Sequence, residues 1–160
     1  SEPHYVSPSR DSPNRAPATT TRLIDMGIQP FLASSTIIGV LAQRLVRRIC
    51  PDCRKSYQPH PEQLRELGIK EVSFRKLDRR FFRGDGCDNC RQTGYRGRIG
   101  IHELLVMSEG VKNTILESSD SDTIRKQGLK EKMITLRRDG VNKILHGLTT
   151  AEEILTITSE

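Results

Sequence analysis

CPDCRKSY at Cys50–Tyr57 and GCDNCRQTGYRGR at Gly86–Arg98 contain all four cysteines of the chain, as two Cys-x-x-Cys pairs. Three chemistries use thiols spaced this way. A disulfide framework belongs to exported chains, and no apolar h-region opens this one; two Cys-x-x-Cys units at this spacing are also unusual in such frameworks. Dithiol redox catalysis needs one pair beside a βαβ unit, with its thiol at a helix N-terminus. The residues before Cys50 read instead as a helix that ends there, where the dipole disfavours a thiolate. The third chemistry is a structural metal site. Each Cys-x-x-Cys bends into a knuckle whose backbone N–H groups point at sulfur, and two knuckles supply the four thiolates of a closed tetrahedral Zn²⁺ site. The sequence favours this reading, with Cys50, Cys53, Cys87 and Cys90 as ligands. With no open position the metal would act as a clamp, not a catalyst. Arg48, Arg54, Lys55 and Arg91 lie beside the ligands and offset the negative charge of a tetrathiolate centre. The stretch between the knuckles is longer than in the tightest zinc ribbons, which argues against a ribbon but not against a metal.

Working outward, Ser34–Cys50 carries Ile37, Ile38, Leu41, Ala42, Leu45 and Ile49 at helical spacing, with arginines on the other side. The pattern predicts a helix stopped by Pro51. A shorter helix is expected in Ala16–Ile28, stopped at Gly27. Between the knuckles, His60–Gly68 reads as a short helix, while VSFRKL at 72–77 alternates weakly and suggests a strand. Phe81 and Phe82 are expected to fill a small core around the metal. His60 is a fifth possible ligand, but four thiols leave it a surface role, and His102 and His146 stand alone. Beyond the second knuckle, Gly94 and Gly97 bracket a doubly basic loop, and the apolar run to Val106 reads as a buried strand. Arg96 and Arg98 have forked guanidinium groups suited to phosphate oxygens, or else they balance the metal site or a nearby carboxylate. The last third reads as short amphipathic helices. One follows Ser108, one is capped within Ser119–Asp122 and broken or ended near Gly128, and one is stopped by Gly147. The last is opened by Thr149 with Glu152, or Thr150 with Glu153.

Composition sets the outer limits. The 160 residues are 34% apolar and 29% charged, without tryptophan, so the core is modest and a metal staple would help it. The formal charge of +6 points to an anionic partner or simply to an arginine-rich surface. No apolar run approaches the roughly 20 residues needed to span a bilayer.

RLIDMGIQPF, GVLAQRLVRRICPDC, GCDNCRQTGYRGRIGIHELL and LRRDGVNKILHGLTTAEEIL, in this order, resemble the C-terminal part of the ATPases that drive type II secretion and type IV pilus assembly. The resemblance spans about residues 14–158. It implies an α+β, mostly helical fold: the C-terminal part of a RecA-like α/β core, an inserted tetracysteine zinc subdomain and a terminal helical subdomain. The expected organisation is a flexible tail or expression remnant at 1–13, a helical remnant of the ATPase core at 14–49, the zinc subdomain at 50–97, a core strand at 98–107 and the helical subdomain at 108–160. It further implies a parent that hydrolyses ATP with Mg²⁺, as a cytoplasmic hexameric ring peripheral to the inner membrane. Its partners would be neighbouring ring subunits and an inner-membrane platform protein. By the same analogy Arg96 or Arg98 would reach toward nucleotide held by the full-length core.

The departures from the family pattern predict an inactive piece. No Gly-x-x-x-x-Gly-Lys-Ser/Thr loop is present to cradle phosphates. Where the family has a histidine box before Ala-Pro, this chain has Ser12, Pro13 and Asn14 ahead of Arg15, Ala16 and Pro17. No catalytic residue is therefore expected, and the chain reads as a C-terminal fragment or a shortened paralogue. The alternative is a basic zinc-ribbon-like module that binds nucleic acid. Aromatics are few, and none interleaves with the basic residues as in a stacking platform for bases, which argues against this alternative.

Overall fold

The structure, a computed structural model, describes residues 15–159. The expected tail at 1–13 and the Ser12–Asn14 position of the histidine box lie outside the described residues. The described chain is a mixed helix–strand fold. It runs α1 (Ala16–Asp25), α2 (Pro30–Thr36), β1 (Gly39–Ile49), β2 (Arg54–Tyr57), α3 (Pro61–Glu66), α4 (Glu71–Lys76), β3 (Phe81–Gly84), β4 (Tyr95–Val106), α5 (Glu109–Glu117), α6 (Ser121–Lys130), α7 (Leu136–Leu145) and α8 (Ala151–Thr158). Two two-stranded sheets form, β1 with β4 and β2 with β3. The chain divides into two compact units: residues up to Ala42 with Glu103–Ile134, and Gln43–His102 with Thr135 onward.

Two elements differ from expectation. The predicted helix over Ser34–Cys50 is the strand β1, preceded by the short α2. Leu41 and Leu45 created the helical spacing, yet both are exposed, whereas Val46 and Ile49 are buried. Pairing with β4, distant in sequence, overrides the local periodicity. The argument that Cys50 ends a helix falls with it. In the opposite sense, VSFRKL is not a strand: Glu71–Lys76 is the helix α4, which buries Phe74.

The first unit is held by aliphatic side chains. Ala16, Leu105, Met107, Val111, Ile115 and Ile124 are buried together, with Ile24, Ile37, Val40, Ala42 and Met133 packed against them. The N-cap Arg15 makes no side-chain capping bond, but the buried carboxylate of Glu103 accepts from the Ala16 N–H at 2.9 Å. A strand residue thereby satisfies a helix-terminal donor. Ser108 caps α5 and Asp120 caps α6, as the sequence suggested. α6 continues past Gly128 to Lys130, because this buried glycine lets Leu105 and Met133 close over the helix.

The second unit has an aromatic centre. Phe81 is fully buried, with Phe74 and Tyr57 edge-on to it at ring-centroid distances of 5.3 and 6.1 Å. β2 and β3 run antiparallel, from Arg54 opposite Gly84 to Tyr57 opposite Phe81. His60 caps α3: its Nδ1 accepts from the Glu62 N–H, and Gln63 Oε1 accepts from the His60 N–H. α7 packs on α8, with Gly140 directly beneath Ile154. Thr150 opens α8 by accepting from the Glu153 N–H, so the second of the two expected capping pairs is the one used.

α7 ends in the paired bonds of a Schellman motif, Gly147 N–H to Ile144 O and Leu148 N–H to Lys143 O. Gly147 has φ +67°, the left-handed turn that glycine tolerates best. The same two bonds close α4 and α6 around Asp78 and Lys132, with φ +44° and +67° and no glycine.

Candidate metal centre

Cys50 leaves β1 directly, and its N–H donates to Gly94 O at 2.9 Å. Pro51–Cys53 turn the chain into β2, placing Cys53 one residue before that strand. β3, antiparallel to β2, then returns to Asp85, whose N–H donates to Cys53 O. The second knuckle is a single 3₁₀ turn, Asp88–Cys90, continued through Arg91 and Gln92 with φ +52° and +62°. Gly84 and Gly94 bring the two knuckle-bearing segments together. A β-carbon on Gly84 would overlap the Gly94 carbonyl, and one on Gly94 would meet Gly84 O at 2.5 Å. Only backbone without side chains passes there.

All four sulfurs lie within 4.8 Å of one another. Cys50 Sγ is 3.8 Å from Cys87 Sγ, Cys53 Sγ is 3.8 Å from Cys90 Sγ, and Cys87 Sγ is 3.6 Å from Cys90 Sγ. No disulfide is formed; all four cysteines are free. A tetrahedron with metal–sulfur bonds of about 2.3 Å has edges of about 3.8 Å. The cluster is therefore close enough to hold one metal ion, and the three separations given match the edges of such a tetrahedron. The N–H groups of Cys87 and Gly94 donate to Cys90 Sγ at 3.2 and 3.3 Å, the backbone-to-sulfur bonds of a knuckle.

The electrostatics separate the thiols. Burial pushes the Cys53 thiol up to about 12. Burial also opposes ionisation of Cys90, but the N–H groups of Cys87 and Gly94, with the Cys87 and Cys53 thiols, outweigh it and bring Cys90 down to about 6. Without a metal, one thiolate would be shared by its neighbours' protons. A divalent ion would displace those protons and take all four sulfurs.

The expected basic residues are placed variously. Arg54 lies over the Phe82 ring at 5.0 Å and donates to Gly147 O at 3.3 Å. Lys55 pairs with Asp85 at 2.6 Å. Arg48 and Arg91 are exposed. Arg96 Nη1 sits 3.5 Å from Asp52 Oδ2, inside the first knuckle, and Asn89 donates to the same carboxylate at 3.0 Å. Arg98 is exposed on β4. His60 is committed to its helix cap. His102 and its N–H face Asp139, and His146 Nδ1 lies 2.6 Å from Asn142 O. Of the two phenylalanines expected at the metal, Phe81 belongs to the aromatic centre, while Phe82 packs on Arg54 and Gly147.

A second set of residues surrounds the cysteine cluster. Arg47 holds Glu153 three ways: N–H to Oε2 at 2.8 Å, Nε to Oε1 at 2.8 Å and Nη2 to Oε1 at 2.6 Å. Its guanidinium also covers the Tyr95 ring at 4.1 Å. Burial raises the Glu153 carboxyl, but the bonds and charge of Arg47 outweigh it and hold the group below its ordinary value. Thr149 donates to Arg47 O at 2.9 Å, Ile49 N–H donates to Leu148 O at 2.9 Å, and the Tyr95 and Thr150 hydroxyls meet at 3.0 Å. Sequence reasoning missed this set, because its partners lie roughly fifty to a hundred positions apart. The capping pair Thr150–Glu153 was the one local signal.

The rings of Tyr57, Phe74, Phe81, Phe82 and Tyr95 make contacts inside the second unit, whereas Phe31 on α2 is exposed. Among the described residues no helix is long and apolar enough to cross a membrane.

The chain matches the family described as "Type II/IV secretion system protein" over residues 12–156. It is 44% identical over 147 residues to a "Type IV pilus assembly ATPase PilB" of Thermus thermophilus, covering 92% of this chain and 16% of the relative. It is 42% identical to a "Type II secretion system protein E" of Dickeya dadantii, covering 92% of this chain and 28% of the relative. To a "Type II secretion system ATPase E" of Vibrio cholerae it is 40% identical with the same coverage, 92% and 28%. The chain thus spans less than a third of the length of these relatives.

Proposed function

The chain belongs to the Type II/IV secretion system protein family, and on that premise we propose that it is the C-terminal, zinc-bearing portion of an ATPase driving type II secretion or type IV pilus assembly. Cys50, Cys53, Cys87 and Cys90 hold a structural Zn²⁺. Residues 14–49 and 98–107 belong to a RecA-like core that the longer protein completes, and ATP and Mg²⁺ bind to that longer protein. The parent works as a hexameric ring on the cytoplasmic face of the inner membrane. This portion stiffens the subunit and docks it to ring neighbours or to a membrane platform protein. Arg96 is occupied by Asp52, so Arg98 is the better of the two candidates for an anion contact.

The observation that carries this reading is the gathering of four free thiols within 4.8 Å of one another, three of their separations being 3.6–3.8 Å, inside a chain of this family. Elemental analysis of the purified chain should find one zinc per polypeptide. ATP hydrolysis by the chain alone should stay at background, while a longer form with a phosphate-binding loop turns over. A folded, metal-free chain would refute the zinc assignment, and turnover by the chain alone would refute the division of labour.

A further inference from the structure

The metal-binding knuckles do not stand alone in their unit. Residues 147–153, the loop into α8 and its first turn, contact the chain on both sides of the first knuckle and just after the second. Before Cys50, Arg47 is bound through its N–H, its carbonyl and its guanidinium, and Ile49 through its N–H. After Cys53, Arg54 donates to Gly147 O. After Cys90, Tyr95 meets Thr150. The Arg47 side chain ties the first of these points to the last, because it grips Glu153 and covers Tyr95 together.

We propose that the 147–153 segment is an outer brace of the metal centre, with Arg47 and Glu153 as its positioning residues, so that docking of α8 and retention of the metal are coupled. The proposal rests on the reading that the four cysteines bind zinc. The physical basis is the entry and exit geometry of the knuckles. A thiolate holds a tetrahedral ion only while its backbone keeps the sulfur on the right vector, and side chains outside the ligand shell commonly fix that vector. Here the fixing groups come from the far end of the chain. Coupling is reciprocal. Loosening α8 must weaken metal binding, and metal loss must loosen α8.

The test uses the zinc-loaded full chain and a colorimetric chelator in excess. Glu153→Ala and Arg47→Ala should each release zinc about tenfold faster than the wild type. Tyr95→Phe and Thr149→Val, which keep shape and remove one hydroxyl bond each, should release it faster by a smaller factor; they serve if the larger changes prevent folding. In the reverse direction, stripping zinc should raise amide hydrogen exchange in Ala151–Thr158 and leave Glu109–Glu117 unchanged. Wild-type release rates in folded variants, or an α8 indifferent to the metal, would overturn the brace alone. A wild-type chain without zinc would overturn the metal assignment and the brace with it.

Discussion

The two units solve the problem of a small core in different ways. The first closes on Leu105, Val111, Ile115 and Ile124, an aliphatic cluster that needs nothing but burial. The second has an aromatic centre, a clustered set of four thiols and a polar web from Arg47 to Thr150. Aliphatic packing is proportional to area and tolerates the loss of any one contact in part. A unit whose four thiols take up a metal would concentrate its stabilisation at one point. The difference teaches where each unit is vulnerable: the first through volume, the second through chemistry.

The largest expected effect tests that contrast most directly. Chelation of the metal, or Cys90→Ser, should take zinc from one per chain to none. It should unfold the knuckles and the β2–β3 strand pair while Glu109–Glu117 and Ser121–Lys130 keep their protection; hydrogen exchange read segment by segment checks this. Equal loss of protection in both units would erase the contrast. Next in size, Ile115→Ala should cost about 3 kcal/mol in denaturant unfolding, because Ile115 is fully buried, with zinc stoichiometry unchanged. Gly147→Ala should cost about 2 kcal/mol. It puts a side chain at φ +67° and a β-carbon 2.8 Å from Phe82, and its effect should appear only in the second unit.

The smallest effect is one of pH. The Glu153 carboxyl is held below its ordinary value, so it is more acidic folded than unfolded. Its contribution is fully present above the unfolded value and is lost as pH falls through the folded one. Arg47 is more than half exposed, so the contribution should be only about 1 kcal/mol. The difference in stability between wild type and Glu153→Gln, followed from neutral pH to below the carboxylate range, should shrink toward zero. A difference that stays constant over that interval would remove the ion pair from the account.

What the sequence made legible was the chemistry with short spacing. The caps at Ser108 and Asp120 and the stops at Gly27 and Gly147 are local signals, and each sits where it was read. The two Cys-x-x-Cys pairs are local as well, and the fold brings their four sulfurs together, although Cys50 follows a strand and not a helix. β1 was not legible as a strand. Leu41 and Leu45 stand four apart like the stripe of a helix, but they point to solvent, and the inward positions are Val46 and Ile49. Only the pairing with β4 decides between the two patterns, and pairing is not written locally. α4 misled in reverse, because a six-residue helix that buries a single Phe74 has too little length to show a period. The brace escaped notice for a third reason: Arg47 and Glu153 are ordinary charged residues until the fold brings them together.

Asp78 and Lys132 turn the ends of α4 and α6 in a left-handed conformation that side-chain-bearing residues adopt at a cost. Both are exposed. An engineer seeking a hardier version of this scaffold has two places to begin that lie outside both Cys-x-x-Cys knuckles.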